Sequence, residues 1–244
     1  MKYALALIAP AFALAACSGS GDGGNTTAAA PVAAVKAPAG QSWTDTVTKT
    51  SEGYLMGNPN APIKLVEYGA RTCPTCGAFA REGFQPLTNN YVSTGKVSFE
   101  FRDYLVHGAP DLVLSLLGTC GSEAAFFPIL EQTYANQSAF LDKLQALTPA
   151  QQEALQAQSP VQQITALADA MGAVDFIKQR GIPEAQARQC LTSQARIDAI
   201  AKPTETATKN GTVTGTPTFI INGNTIANTV TWPQLETALK NAGA

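Results

Sequence analysis

The order of strand-like and helix-like segments predicts an α/β fold in which a long helical block is inserted between two groups of strands. Three observations carry that reading. "KVSFEFRDY" alternates Val97, Phe99 and Phe101 with polar neighbours, the period of a strand with one buried face. Residues 109–210 look helical nearly throughout, interrupted by Gly and Pro. A strand signal then returns in "TPTFIING".

The elements follow in chain order. "YLMGNPNAPIKLVEYGA" reads as a short strand, a Gly-Asn-Pro-Asn turn and a strand over about Ile63 to Tyr68, because turn formers separate two apolar runs. A helical pattern starts at "TCPTC" and runs to about Tyr91, with Pro86 expected to kink or break it. After the strand at 97–101 the helical block is punctuated at Gly118, Gly121, Pro128, Pro149, Pro160, Gly172, Gly181 and Pro183. "NTIAN" and a closing helix in "TWPQLETALKNAGA" complete an order β, β, α, β, helical block, β, β, α. Trp43, Trp232 and the Phe126–Phe127 pair are expected in the core or as staples at its edge.

Before this domain the composition differs. "MKYALALIAPAFALAAC" has one basic residue, an apolar run and small residues ending at Cys17, the pattern of a secretory signal over residues 1–16, too short for a membrane span. Its ending "LAAC" resembles the lipobox of bacterial lipoproteins. That resemblance implies diacylation of Cys17, and Ser18 after it points to the outer membrane; an ordinary export signal with Cys17 incidental is the alternative. Residues 17–42 are rich in Gly, Ala, Ser, Thr and Pro and read as a disordered tether, with residues 43–244 as the folded domain. A flexible coil of roughly 25 residues spans about 25–30 Å, one protein diameter from a membrane.

The 244 residues suit one domain carrying an insertion, with 45% apolar and 14% charged residues and a net charge of −2. No Lys/Arg-rich block is present, which removes the electrostatic ground for nucleic-acid binding. Export also changes how thiols are read, since disulfides persist outside the cytoplasm. Of five cysteines, Cys17 is assigned to lipid, Cys73 and Cys76 form a close pair, and Cys120 and Cys190 remain.

Cys73 and Cys76 stand at i and i+3, so both thiols lie on one side of a helix's first turn. Pro74 suits the first helical position, where its missing N–H has no partner to lose. Cys73 then sits at the cap, facing free N–H groups and the positive end of the helix dipole. That setting favours the thiolate and makes Cys73 the reactive end, with Cys76 shielded as the resolving thiol. A zinc site needs more ligands than this pair and the single histidine, His107, provide; an inert two-residue staple constrains the unfolded chain little. His107 is expected as a surface or turn residue at the start of the insertion, about 107–205.

Two other places bear on the pair. Glu67 shares a strand face with Ile63 and Leu65, where an acid is costly unless it does proton work. It is read either as the group that takes the Cys76 proton or as a strand-end carboxylate reaching solvent or Lys64. "GTVTGTPTF" leads Thr216–Pro217 into a strand. A cis bond there would make a tight turn and free the Thr216 backbone to pair with a bound peptide; a trans proline starting the strand is the alternative.

Cys-x-x-Cys at a strand–helix junction, the upstream acid, the helical insertion and the Thr-Pro before the last hairpin together resemble the thioredoxin fold. With "VEYGARTCPTCGAFAREGF", residues 50–243 are similar to the periplasmic thiol–disulfide oxidoreductases of the DsbA family. The resemblance implies that Cys73 attacks, Cys76 resolves, Glu67 is the buried acid and Thr216–Pro217 is the cis-proline pair. The pair itself would be the redox group, with no cofactor. Partners implied are exported proteins with free thiols or disulfides and a membrane redox partner. Thr75 departs from the pattern, since many such motifs carry histidine there. Threonine offers a hydroxyl but no positive charge, which implies a potential less oxidising than the roughly −120 mV of the strongest oxidants. Isomerase or reductase activity is therefore the alternative within the class. A lipid-tethered carrier of a soft metal such as copper(I) is the alternative outside it. Cys120 and Cys190 favour a structural disulfide on helical segments over two buried free thiols.

Overall fold

The structure, a computed structural model, describes residues 29–244; the signal-like leader, Cys17 and the first part of the expected tether lie outside them. Six strands form one sheet among the described residues: β1 (Val47–Lys49), β2 (Tyr54–Met56), β3 (Ile63–Gly69), β4 (Val97–Asp103), β5 (Thr218–Ile221) and β6 (Asn224–Ile226), in the spatial order β1-β2-β4-β3-β5-β6. Only β3 and β4 run parallel. A parallel pair needs a crossover, supplied by helix α1 (Pro74–Asn90). The remaining neighbours are antiparallel, and β5 and β6 are joined by Asn222 and Gly223, both at positive φ (50° and 82°), as a two-residue hairpin turn requires.

The insertion comprises α2 (Ala109–Gly118), α3 (Phe126–Ala135), α4 (Gln137–Gln145), α5 (Pro149–Gln156), α6 (Pro160–Ala170), α7 (Ala173–Lys178), α8 (Glu184–Thr192) and α9 (Gln194–Lys209), and α10 (Trp232–Asn241) closes the chain. Pro149 and Pro160 open α5 and α6 at their first residues, where proline is favoured. Two cores result. In the first, Phe79 and Phe84 of α1 meet Phe99 of β4, Phe219 of β5 and Phe127 of α3. In the second, Val113, Leu116, Met171, Ile177 and Leu191 pack the other insertion helices together. The helix α3 therefore belongs to the insertion by sequence and to the sheet by packing. The opposite sheet face, with Val66 and Ile220, is covered by Ala207 of α9.

Three expectations are corrected. Helix α1 is not broken at Pro86, one of the two outcomes expected there; the carbonyl deprived of its donor is that of Glu82, on the exposed side of the helix, where water can replace the lost bond. Cys120 lies two residues beyond the end of α2 and not within a helix. Residues 29–42, expected as part of the disordered tether, lie along the domain. The N–H groups of Ala29 and Val32 donate to the carbonyls of Asn241 and Gly243 at 2.8 Å, and that of Val35 to Thr94 O at 2.9 Å. Trp43 Nε1 donates to Val35 O at 2.6 Å. Composition shows how little this segment has to bury, but not that the end of α10 offers unpaired carbonyls for an extended chain to satisfy. The folded unit takes in these residues.

Candidate active site

The central strand β3 leads into the motif. Cys73 is the N-cap residue of α1, with extended dihedrals (φ −74°, ψ 118°), and Pro74 is the first helical residue, as the spacing predicts. Pro74 and Thr75 are exposed, whereas Cys73 retains 7% of its accessible surface and Cys76 none. Both thiols are free. The Thr216–Pro217 bond is cis, and Cys73 Sγ donates to the Thr216 carbonyl at 3.4 Å. Residues 143 positions apart thus meet at one sulfur.

The two cysteines differ in acidity. Cys73 is lowered to about 5, first by the neighbouring Cys76 thiol and also by the peptide N–H groups of Cys76 and Thr75, against the opposing effect of burial. Cys76 is pushed up by burial, by its bond to Cys73 and by the nearby Glu67. A thiolate at the front and a thiol behind is the arrangement that thiol–disulfide exchange requires, since the thiolate is the nucleophile and the better leaving group. The Cys76 thiol leads the peptide N–H groups as a source of Cys73 acidity, an effect the cap position alone does not reveal.

Glu67 lies opposite Phe101 of β4 and Phe219 of β5 and is 3% exposed, so it reaches neither solvent nor Lys64. Its Oε1 has no hydrogen-bond partner among the described residues. Burial first, and the charge of Cys73 second, push it up to about 8, which keeps it protonated at neutral pH.

The turn before Cys73 is held by residues that no sequence signal marked. Arg71, fully buried, pairs with Asp103 through Nε (2.6 Å) and Nη2 (3.1 Å). Asp111 Oδ1 accepts from the Thr72 N–H (2.8 Å) and hydroxyl (2.7 Å), and Asp111 Oδ2 from the His107 N–H (2.7 Å). His107 is half exposed, as expected of a loop residue, but its Nδ1 lies 2.7 Å from Thr72 Oγ1. Burial raises the Asp111 carboxyl; in its ionised form it only accepts, and the Thr72 hydroxyl that donates to it then has its oxygen left to accept from a His107 Nδ1–H. These residues come from 32 to 39 positions downstream, a spacing without periodicity.

Cys120 and Cys190 form a disulfide with Cα atoms 5.9 Å apart, in the second core. Among the described residues no three His, Cys, Asp or Glu side chains gather as a metal site, and no helix is long and apolar enough to cross a membrane.

The chain is similar in sequence and fold to known proteins. A protein-disulfide isomerase from Novosphingobium aromaticivorans has a similar structure, with a TM-score of 0.74 and 29% identity, over 78% of this chain and 97% of that one. The Wolbachia pipientis alpha-DsbA1 shares the fold, with a TM-score of 0.61 and 18% identity over 78% and 89% of the two chains. A Rickettsia prowazekii protein, provisionally named a protein-disulfide oxidoreductase, is 23% identical over 172 residues, 69% of this chain and 54% of that protein. The chain thus spans about half the length of the curated relatives it matches. The fold is the thioredoxin fold with a DsbA-like helical insertion. The thioredoxin family model matches residues 49–241, nearly the whole of the sheet and insertion described above, and the chain belongs to that family.

Proposed function

We propose that this chain is a thiol–disulfide oxidoreductase of the bacterial cell envelope that acts on exported proteins as a dithiol oxidase through Cys73 and Cys76. The observation that carries the reading is the contrast between the two sulfurs: Cys73 at the N-cap of α1, lowered to about 5, and Cys76 buried and held neutral. The names of the Rickettsia and Novosphingobium proteins point to the same chemistry.

In the oxidised pair, a substrate thiolate attacks Cys73 Sγ. The Cys73–Cys76 bond breaks, a mixed disulfide forms, and Cys76 leaves with the electron pair and takes up a proton. Glu67, protonated at neutral pH, is the proposed source. A second substrate thiolate then attacks the substrate's own sulfur in the mixed disulfide and expels Cys73 as a stable thiolate. The substrate loses two electrons and the pair gains them; a membrane redox partner reoxidises the pair. Thr216 and Pro217 present the backbone edge along which a substrate segment lies. Lipidation at Cys17 would hold the enzyme at a membrane, the outer one by the residue that follows it.

The isomerase reading is favoured by the name of the Novosphingobium neighbour and by the exposed, uncharged Thr75 beside Cys76. One experiment separates the readings. Equilibration of the pair with glutathione is expected to give a potential closer to about −120 mV than to about −180 mV, a value near −180 mV being the isomerase's, and Cys73→Ser abolishes oxidation of a reduced dithiol peptide. A potential near −270 mV overturns the oxidase assignment in favour of a reductant. Oxidation that survives Cys73→Ser removes the enzyme assignment altogether.

A further inference from the structure

We propose that the helical insertion positions the reacting cysteine by gripping the backbone just before it, and that Gln137 is the residue through which it does so. The inference deepens the function proposed above and rests on Cys73 being the reacting group.

The peptide groups of residues 70–73 belong to no strand or helix. Their bonds go mostly to the insertion. Tyr134 of α3 donates its hydroxyl to Ala70 O at 3.3 Å. Asp111 of α2 accepts the Thr72 N–H at 2.8 Å. Gln137, the first residue of α4, donates Nε2 to both Arg71 O (3.0 Å) and Cys73 O (2.9 Å). A carboxamide nitrogen carries two hydrogens, so one side chain serves both carbonyls without sharing. Both partners accept only, which fixes the amide with its nitrogen toward the turn. Gln137 is 5% exposed, where such bonds are not exchanged with water.

On its other side the amide is confined by α1. A Cβ on Gly77 would stand 2.5 Å from Gln137 Oε1, so the residue after the second cysteine has to lack a side chain for the amide to reach the turn. The Gly77 N–H also donates to Cys73 O, at 3.0 Å. The Cys73 carbonyl is therefore held from two directions, by the insertion and by its own helix. Cys73 is the N-cap of α1, where the free N–H groups and dipole of the first turn favour a thiolate, and how strongly they do so depends on where this turn places the sulfur. Gln137 touches neither sulfur nor substrate. It is a positioning residue.

The test compares the reduced protein with two variants. Gln137→Met keeps the side chain's length but has no donor; Gly77→Ala displaces the carboxamide from the helix side while leaving Gln137 in place. Three quantities are read: the pH midpoint of Cys73 alkylation, the equilibrium with glutathione, and Tm. Each variant is expected to move the alkylation midpoint upward and to lower the glutathione equilibrium constant three- to tenfold, a tenfold change being about 30 mV. The double variant is expected to do no more than either single one, because both remove the same bonds. If the variants lower Tm but leave midpoint and equilibrium at wild-type values, Gln137 is structural and the proposal fails. It fails likewise if the two effects add in full. Should Gln137→Met not fold, Gly77→Ala alone decides by the same readouts. Alkylation needs no protein substrate. A wild type that oxidises no dithiol, with the midpoint still shifting in the variants, therefore sinks the functional reading and leaves the role of Gln137 standing.

Discussion

Cys73 and Cys76 are one side chain in two settings, and the difference has a consequence for stability as well as reactivity. Folding lowers Cys73 from its ordinary 9 to about 5. A group depressed on folding contributes stability that is absent below the folded value, grows between the two values and is complete above the unfolded one. The reduced protein should therefore gain about 1.4 kcal/mol per pH unit from Cys73 between pH 5 and 9. Cys76 is shifted the other way and stays neutral across that window, so it adds nothing there. Urea unfolding of the reduced protein and of Cys73→Ser, from pH 5 to 8, checks this. The stability gap is expected to widen with pH, reaching about 2–3 kcal/mol at pH 7. A gap that stays flat would mean that Cys73 titrates as an ordinary thiol, and the chemistry built on its thiolate would go with it.

At the scale of the element, β3 shows how function sits on a strand built for burial. Ile63, Leu65 and Glu67 share one face, and the first two are 1% exposed. Glu67 replaces an apolar residue between two phenylalanines, and its value rises from 4.5 to about 8. A raised carboxyl costs nothing below pH 4.5, where both states are protonated. As pH rises toward 8 the unfolded chain ionises freely and the folded one does not, so stability is lost at about 1.4 kcal/mol per unit. Glu67→Leu is expected to leave stability nearly unchanged at pH 4.5 and to raise it by about 3 kcal/mol at pH 7, with slower exchange because the proton for Cys76 has lost its source. Denaturant midpoints at the two pH values measure the first effect, and a gain of equal size at both would place its origin in packing and not in ionisation. This strand was legible in the sequence, as were α1, β4 and β5, because apolar residues recur in each at the period of its own geometry, even in β4, where polar Ser98 and Glu100 are buried on the second face. The three-residue β1 was not, since Val47–Lys49 is too short to show alternation. Cys73, Cys76, Glu67, Thr216 and Pro217 could be picked out because each is an unusual residue for its local pattern. Asp111, Tyr134 and Gln137 are ordinary residues for the helices they occupy. Only the tertiary path of the chain brings them to the turn.

For the whole molecule, the question is how far its two cores act separately. The sheet core holds the motif; the second core holds the Cys120–Cys190 disulfide, whose cysteines are 3% and 4% exposed. The bridge joins the segment after α2 to α8 across 70 residues, and the chain-entropy model values such a closure at about 4 kcal/mol. Disulfides typically contribute about 2–4 kcal/mol, so the Cys120→Ala/Cys190→Ala double variant is expected to lose about that much in guanidinium unfolding. The residues that hold the active-site turn are Asp111 near the start of α2, Tyr134 in α3 and Gln137 in α4. None of them bonds to Cys120 or Cys190, and α3 is anchored in the sheet core by Phe126, Phe127, Leu130 and Tyr134. The grip on Cys73 is thus made by direct bonds from these side chains to the turn; Tyr134 alone stands in the sheet core, whereas the helices of Asp111 and Gln137 send Val113, Leu116 and Phe140 into the second core that the disulfide secures. The double variant should therefore alkylate at Cys73 with a midpoint still near pH 5 despite its lower stability. A midpoint that climbed in step with the lost stability would mean that the second core cannot loosen without releasing the turn, and that the bridge governs the reacting sulfur from a distance.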